Sequence, residues 1–327
     1  MATVPITEIA KIPYIDHQHL YGREISSLTF FVNGEWQLWI SAGERIIPLK
    51  AAGLSEGFYF AKEPESQADV YLNFLNFIAQ HACWPSARKP LDGLMQDFFN
   101  LAACLKKFEI LFDYSGTLKT DTSRLVITEI EYIFGLCRSI FDLLQEMIAA
   151  QWQAVKLLDA SAKKRQLRKK FSDMIIINDR IRTQAELMKL FYIPQQLADF
   201  YVRNGPFFQI LKNFRDRFFH GGQTIKILYI TERGFAVPAS TAPFCDFGVW
   251  NQDHRLPNDL CSLRPAIAHI INETLKACED YALTVQSIIE YPSPIVPDFR
   301  FFMRSSFTKY LIDNKKVLEE CLWWKDI

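Results

Sequence analysis

The stretch Phe207-Phe208-Gln209-Ile210-Leu211-Lys212-Asn213-Phe214-Arg215-Asp216-Arg217-Phe218-Phe219-His220-Gly221-Gly222 decides how the rest of the chain is read. Phe207, Leu211, Phe214 and Phe218 recur at spacings of four, three and four, which is the seam of a helix buried against other helices. The two glycines that follow supply its left-handed stop. The last turns carry Arg215, Asp216 and His220: a guanidinium that can hold a phosphate, a carboxylate, and an imidazole that titrates near neutrality. Five residues at 100° each set Arg215 and His220 about 140° apart around the axis. They meet one reacting group only from the two flanks of a cleft, such as a symmetric dimer supplies. The plainer reading is that His220 answers the helix dipole and pairs with Asp216 four residues earlier.

Upstream, Thr183 opens a helix through Phe191, Pro194 starts a second segment through Tyr201, and Asn204-Gly205-Pro206 predicts its end. A longer helix over 124–153 starts from Thr122 or Ser123 as N-cap. It places Leu125, Ile130, Phe134, Cys137, Phe141, Leu144 and Ile148 inward. A second stripe on that helix is polar: Glu131, Arg138, Asp142 and Gln145. Arg138 and Asp142 have the spacing of an exposed ion pair, or the stripe turns toward the 207–219 helix and lends a carboxylate to its arginine or histidine. Residues 161–170, SAKKRQLRKK, are the one dense basic run, read as a solvated face or a local phosphate patch.

Asn33-Gly34 between aromatic and β-branched residues predicts a hairpin, and helical spacing recurs over 67–82 and 91–114 around Trp84-Pro85-Ser86. Residues 114–123 read as a linker. Thr224 to Val237 alternates around Glu232-Arg233-Gly234 as a second hairpin, and a last long helix covers 261–289. The tail from Tyr291 begins with prolines and ends in an amphipathic segment whose Trp323-Trp324 should dock.

Composition sets bounds. The 327 residues hold 27 Phe, ample material for a core, and 37 basic residues balance 37 acidic ones. A global basic field is therefore absent and any RNA contact must be local. Seven cysteines without CxxC spacing read as reduced thiols, and the expected location is cytoplasmic with no membrane span. Asp16-His17-Gln18-His19 has the look of a two-histidine zinc pair, but it lacks the later ligands of a parallel barrel; no metal and no cofactor are expected.

Arg215-Asp216-Arg217-Phe218-Phe219-His220 resembles the Arg-polar-x-x-x-His signature of the HEPN superfamily, with aspartate where asparagine is more usual. The resemblance spans about residues 116–290. It implies a mainly α fold: a HEPN-like helical bundle with an inserted β-hairpin, preceded by a small β+α region over 1–115 and followed by a docking tail over 291–327. It also implies a homodimer and metal-independent cleavage of RNA, with Arg215, Asp216 and His220 catalytic and Glu131, Arg138 and Asp142 supporting. The alternative is a non-catalytic binding or regulatory module of a defence or toxin–antitoxin system, in which a protein antitoxin is a further partner.

Overall fold

The computed structural model describes residues 5–117, 121–221, 225–252 and 255–320, with the backbone alone for 218–221. The expected mainly α bundle is corrected: 52% of the chain is helical and 16% is strand, built around a six-stranded mixed sheet with two smaller sheets, an α/β architecture.

After a short helix α1 (Ile6–Ile9), strands β1 (Thr29–Val32), β2 (Glu35–Ala42), β3 (Arg45–Ala51), β4 (Gly57–Ala61) and β5 (Val70–Tyr71) follow in turn. The Asn33-Gly34 hairpin is present, both residues at positive φ (52° and 80°), with Val32 opposite Glu35. Helix α2 (Asn73–Phe77) runs through a π turn into α3 (Pro85–Asp113). Pro85 acts as a helix starter in the first turn, where its missing N–H costs nothing.

Helix α4 (Thr122–Gln151) is next, capped one residue earlier than expected by Asp121, whose carboxylate accepts the Ser123 N–H at 2.9 Å. The chain continues through α5 (Phe171–Ile175), β6 (Ile176–Ile177), β7 (Arg180–Ile181), α6 (Gln184–Phe191) and α7 (Gln195–Gly221). Thr183 and Glu186 close the capping box of α6. Then come β8 (Tyr229–Thr231), β9 (Gly234–Pro238), β10 (Arg255–Leu256), β11 (Leu260–Ser262), α8 (Leu263–Gln286), β12 (Arg300–Arg304) and α9 (Lys309–Glu319). Trp323-Trp324 lies outside the described residues.

The large sheet has the order β3-β2-β1-β4-β12-β5, antiparallel except for β1 beside β4. Strand β12, from the tail, is the element that the helical expectation lacked. Five residues sit in register with β4, from Arg300 opposite Ala61 to Arg304 opposite Gly57. Its alternation is clean. Phe58, Phe60, Phe301 and Met303 enter the main core, whereas Tyr59, Ala61 and Phe302 face the other side with Trp36. There Asp69 accepts the Tyr59 hydroxyl at 2.8 Å, and the Arg304 guanidinium pairs with Glu65 and lies 5.0 Å over the Trp36 ring.

Asn204-Gly205-Pro206 does not end a helix. Helix α7 passes through it, although Pro206 withholds the N–H that would reach the carbonyl of residue 202. Tertiary contacts hold the turn. Arg203 grips Asp280 of α8 with two bonds of 2.9 Å, and Asn204 donates to the same carboxylate at 2.7 Å. Gly205 lies under Ile181, whose Cγ2 would be 3.2 Å from an added Cβ.

Helix α4 packs on α3, α5, α7 and α8. Its Gln145, 2% exposed, donates to the Arg168 carbonyl at 2.6 Å and accepts the buried Tyr201 hydroxyl at 2.6 Å. Gln145→Leu strands both partners, and each buried orphan costs about 1–3 kcal/mol. Urea unfolding should show a loss of about 2–4 kcal/mol, part of it recovered when Tyr201→Phe is added. A loss near zero would mean that these bonds do not hold the helix in place.

Candidate functional site between α4 and α7

Helices α4 and α7 lie antiparallel. Phe134 stacks on Phe214 with centroids 4.0 Å apart, and one turn pair further along Phe141 meets Phe208 at 5.5 Å and Phe207 at 6.1 Å. Of the seam read from the sequence, Phe207 and Phe214 thus meet α4, joined by Phe208 from outside it, and the Phe218 side chain lies outside the described residues. This register brings Glu131 on α4 to the level of Arg217 on α7.

Asp216 sits at the centre of a cationic group. Lys212, one turn earlier on α7, pairs with it at 3.0 Å, and Arg215 approaches at 3.5 Å. Partial burial raises the Asp216 pKa, but the Lys212 hydrogen bond and the fields of Lys212, Arg138 and Arg215 outweigh it and hold the carboxyl below its usual value. Arg138 belongs to α4, so this one member of its polar stripe lies within electrostatic reach of Asp216. Its Nε is buried without a hydrogen-bond partner among the described residues, and its Asp142 contact is long at 3.7 Å.

Asp142 has a different task. Its Oδ1 accepts the Phe171 N–H at 3.0 Å and so caps the first turn of α5. Burial, the largest cause, pushes its pKa up against the Phe171 bond and the nearby Arg138 and Lys170 charges. Glu131 is buried at 8% exposure on the α4 face beside Phe134. The His220 side chain lies outside the described residues; its backbone ends α7. Lys212 is the residue that sequence reading passed over, although a lysine four before an aspartate on one helix is a legible pair.

The basic run over 161–170 is partly structural. Lys164 donates to the carbonyls of Trp152, Gln153 and Val155 at 3.0, 3.1 and 2.6 Å and so closes the end of α4. Arg165 reaches the Leu190 carbonyl at 3.1 Å. His17-Gln18-His19 forms a 3₁₀ turn, with His19 Nδ1 2.7 Å from an oxygen of Asp16. Among the described residues no group of three or more His, Cys, Asp or Glu side chains is placed to hold a metal, and no helix is long and apolar enough to cross a membrane.

No family model matches the chain, and neither a curated protein nor a solved structure matches it.

The two aspartates titrate in opposite senses. Asp142, raised, favours the protonated folded state, so its contribution is greatest at low pH and is lost as pH climbs through its raised pKa. Asp216, lowered, contributes at neutral pH and loses that contribution as pH falls below the ordinary carboxylate range. Urea unfolding across the acid range should show Asp142→Asn flattening the first slope and Asp216→Asn the second. At neutral pH Asp216→Asn should change stability by less than about 1 kcal/mol, because the pair is solvent-screened. Identical pH profiles for the two variants would contradict these environments.

Proposed function

We propose that the end of α7 is a phosphodiester site and that the protein is a metal-independent endoribonuclease acting as a homodimer, the activity that the Arg-polar-x-x-x-His motif serves in the HEPN superfamily. One observation carries the reading: Arg138, Lys212 and Arg215, from two packed helices, converge on a single ionised carboxylate, Asp216. Asp142 at 3.7 Å offsets part of the Arg138 charge, and the surplus of Lys212 and Arg215 over Asp216 is the positive charge that would meet a phosphate in the backbone of RNA.

In this reading His220 takes the proton of the ribose 2′-hydroxyl or returns one to the leaving 5′-oxygen, while Arg215 and Arg138 stabilise the charge that grows on the phosphoryl oxygens. The 2′-oxygen bonds to phosphorus as the bond to the 5′-oxygen breaks. The products are a 2′,3′-cyclic phosphate and a free 5′-hydroxyl. Asp216 positions the guanidinium of Arg215, and Glu131 backs the site from α4.

A second reading rests on the same carboxylate. Asp216 spends part of the Arg215 charge on itself, which favours a non-catalytic module that binds RNA or a protein partner through this face.

Incubation with mixed single-stranded RNA in excess chelator separates the two. The enzyme should cut and leave cyclic phosphate ends, and His220→Ala or Arg215→Ala should lower the rate by about 10²–10⁴-fold with unchanged helical circular dichroism. Binding without cutting, weakened by Arg215→Ala and strengthened by Asp216→Asn, would establish the module instead. Cutting that survives His220→Ala would remove the proposed chemistry.

A further inference from the structure

A second recess lies apart from the motif, between α3, β9, α8 and α9, with a volume of about 370 Å³. That is the small end of the ~300–1,000 Å³ range of small-molecule sites. Aromatic rings dominate its apolar wall. Phe235 of β9 meets Phe108 and Phe112 of α3 edge-on, at 6.5 and 5.7 Å, and Ile267 of α8 closes the side.

Half of its sixteen lining residues are polar, three of them basic (Arg233, Arg264 and Lys309) and two acidic (Glu109 and Asp313). Arg264, in the first turn of α8, and Lys309, in the first turn of α9, line the cavity, and neither makes an ion pair among the described residues. Two acids also line it: Glu109 pairs with Lys106 at 3.0 Å and Asp313 with Lys316 at 3.8 Å, and the fields of both reach Arg264. Arg264 reaches solvent at the mouth, yet desolvation lowers its pKa despite the opposing fields of Asp313 and Glu109. Arg264 is exposed and makes no ion pair among the described residues, so its guanidinium can take an incoming anion with charge-assisted hydrogen bonds.

Deeper in, Asn314 is 95% buried, being 5% exposed. Its Nδ2 makes only long bonds, 3.5 Å to the Ala268 carbonyl and 3.3 Å to Asn272 Oδ1. Its Oδ1 accepts no hydrogen bond among the described residues. That oxygen is open to the cavity rather than sealed in the core, so a ligand N–H or hydroxyl can reach it.

We propose that this cavity binds a small organic carboxylate with a planar aromatic body. The ring lies among Phe108, Phe112 and Phe235, the carboxylate meets Arg264 at the mouth, and a ring N–H or hydroxyl donates to Asn314 Oδ1. The acids at the rim, Glu109 and Asp313, disfavour polyanions such as nucleic acid, so the site is chemically distinct from the α4–α7 cluster.

Calorimetric titration of the full-length protein with indole-3-acetate, its neutral amide and octanoate tests this. Indole-3-acetate should bind about tenfold or more tighter than the amide, as expected for a charge-assisted contact, and tighter than octanoate. Arg264→Gln should erase the preference over the amide. Asn314→Leu, should it remain folded, should weaken both indole ligands alike. Equal affinity for acid and amide, tighter octanoate binding, full affinity in Arg264→Gln, or no heat at millimolar ligand with folded protein would each overturn the proposal. RNA binding by Arg264→Gln should match the parent protein, so failure here leaves the phosphodiester reading to stand or fall alone.

Discussion

Helix α4 is enclosed on nearly every side, and that enclosure disciplines the rest of the molecule. A helix wrapped by α3, α5, α7 and α8 has little water for its polar side chains, so each must find a partner or pay for desolvation. Gln145 does so with Tyr201 and the Arg168 carbonyl, Gln151 with the Ala82 carbonyl at 2.6 Å, and Asp142 with the first N–H of α5. These bonds tie loops and short helices to α4 from several directions. Arg138 departs from the pattern, with a buried Nε and only a long contact to Asp142, and it is the member of the stripe whose field reaches α7. The α4 surface is thus mostly structural polarity, with a charged remainder gathered where α7 ends.

Local signals were legible because their causes are local. Asn33-Gly34 sets a turn by backbone conformation alone, Thr183 and Glu186 cap α6 within one turn, and Glu232-Arg233 bridges β8 and β9. What escaped reading depends on distant partners. The segment Arg300–Arg304 is too short to declare itself a strand, and its identity comes from β4, more than two hundred residues earlier. Likewise Pro206 signals a stop, but Asp280 and Ile181 hold the helix through it.

The candidate site divides in the same way. Arg215, Asp216 and the facing Arg138 could be read from spacing on two helices, whereas the capping role of Asp142 could not, because its partner is a backbone N–H 29 residues on. The cavity by α9 was invisible from sequence: its lining is spread between Leu105 and Val317, and each contributing residue looks like ordinary core or ordinary surface.

The place of β12 between β4 and β5 also has a temporal side. Translation delivers residue 61 long before residue 304, and at roughly 5–20 residues per second the interval is about 12–50 s. Throughout that wait the nascent chain carries β4 with one edge unpaired, bearing Phe58, Tyr59 and Phe60. The ribosome-bound protein therefore holds an open sheet edge, which Arg300–Arg304 closes only after the intervening helices have been made.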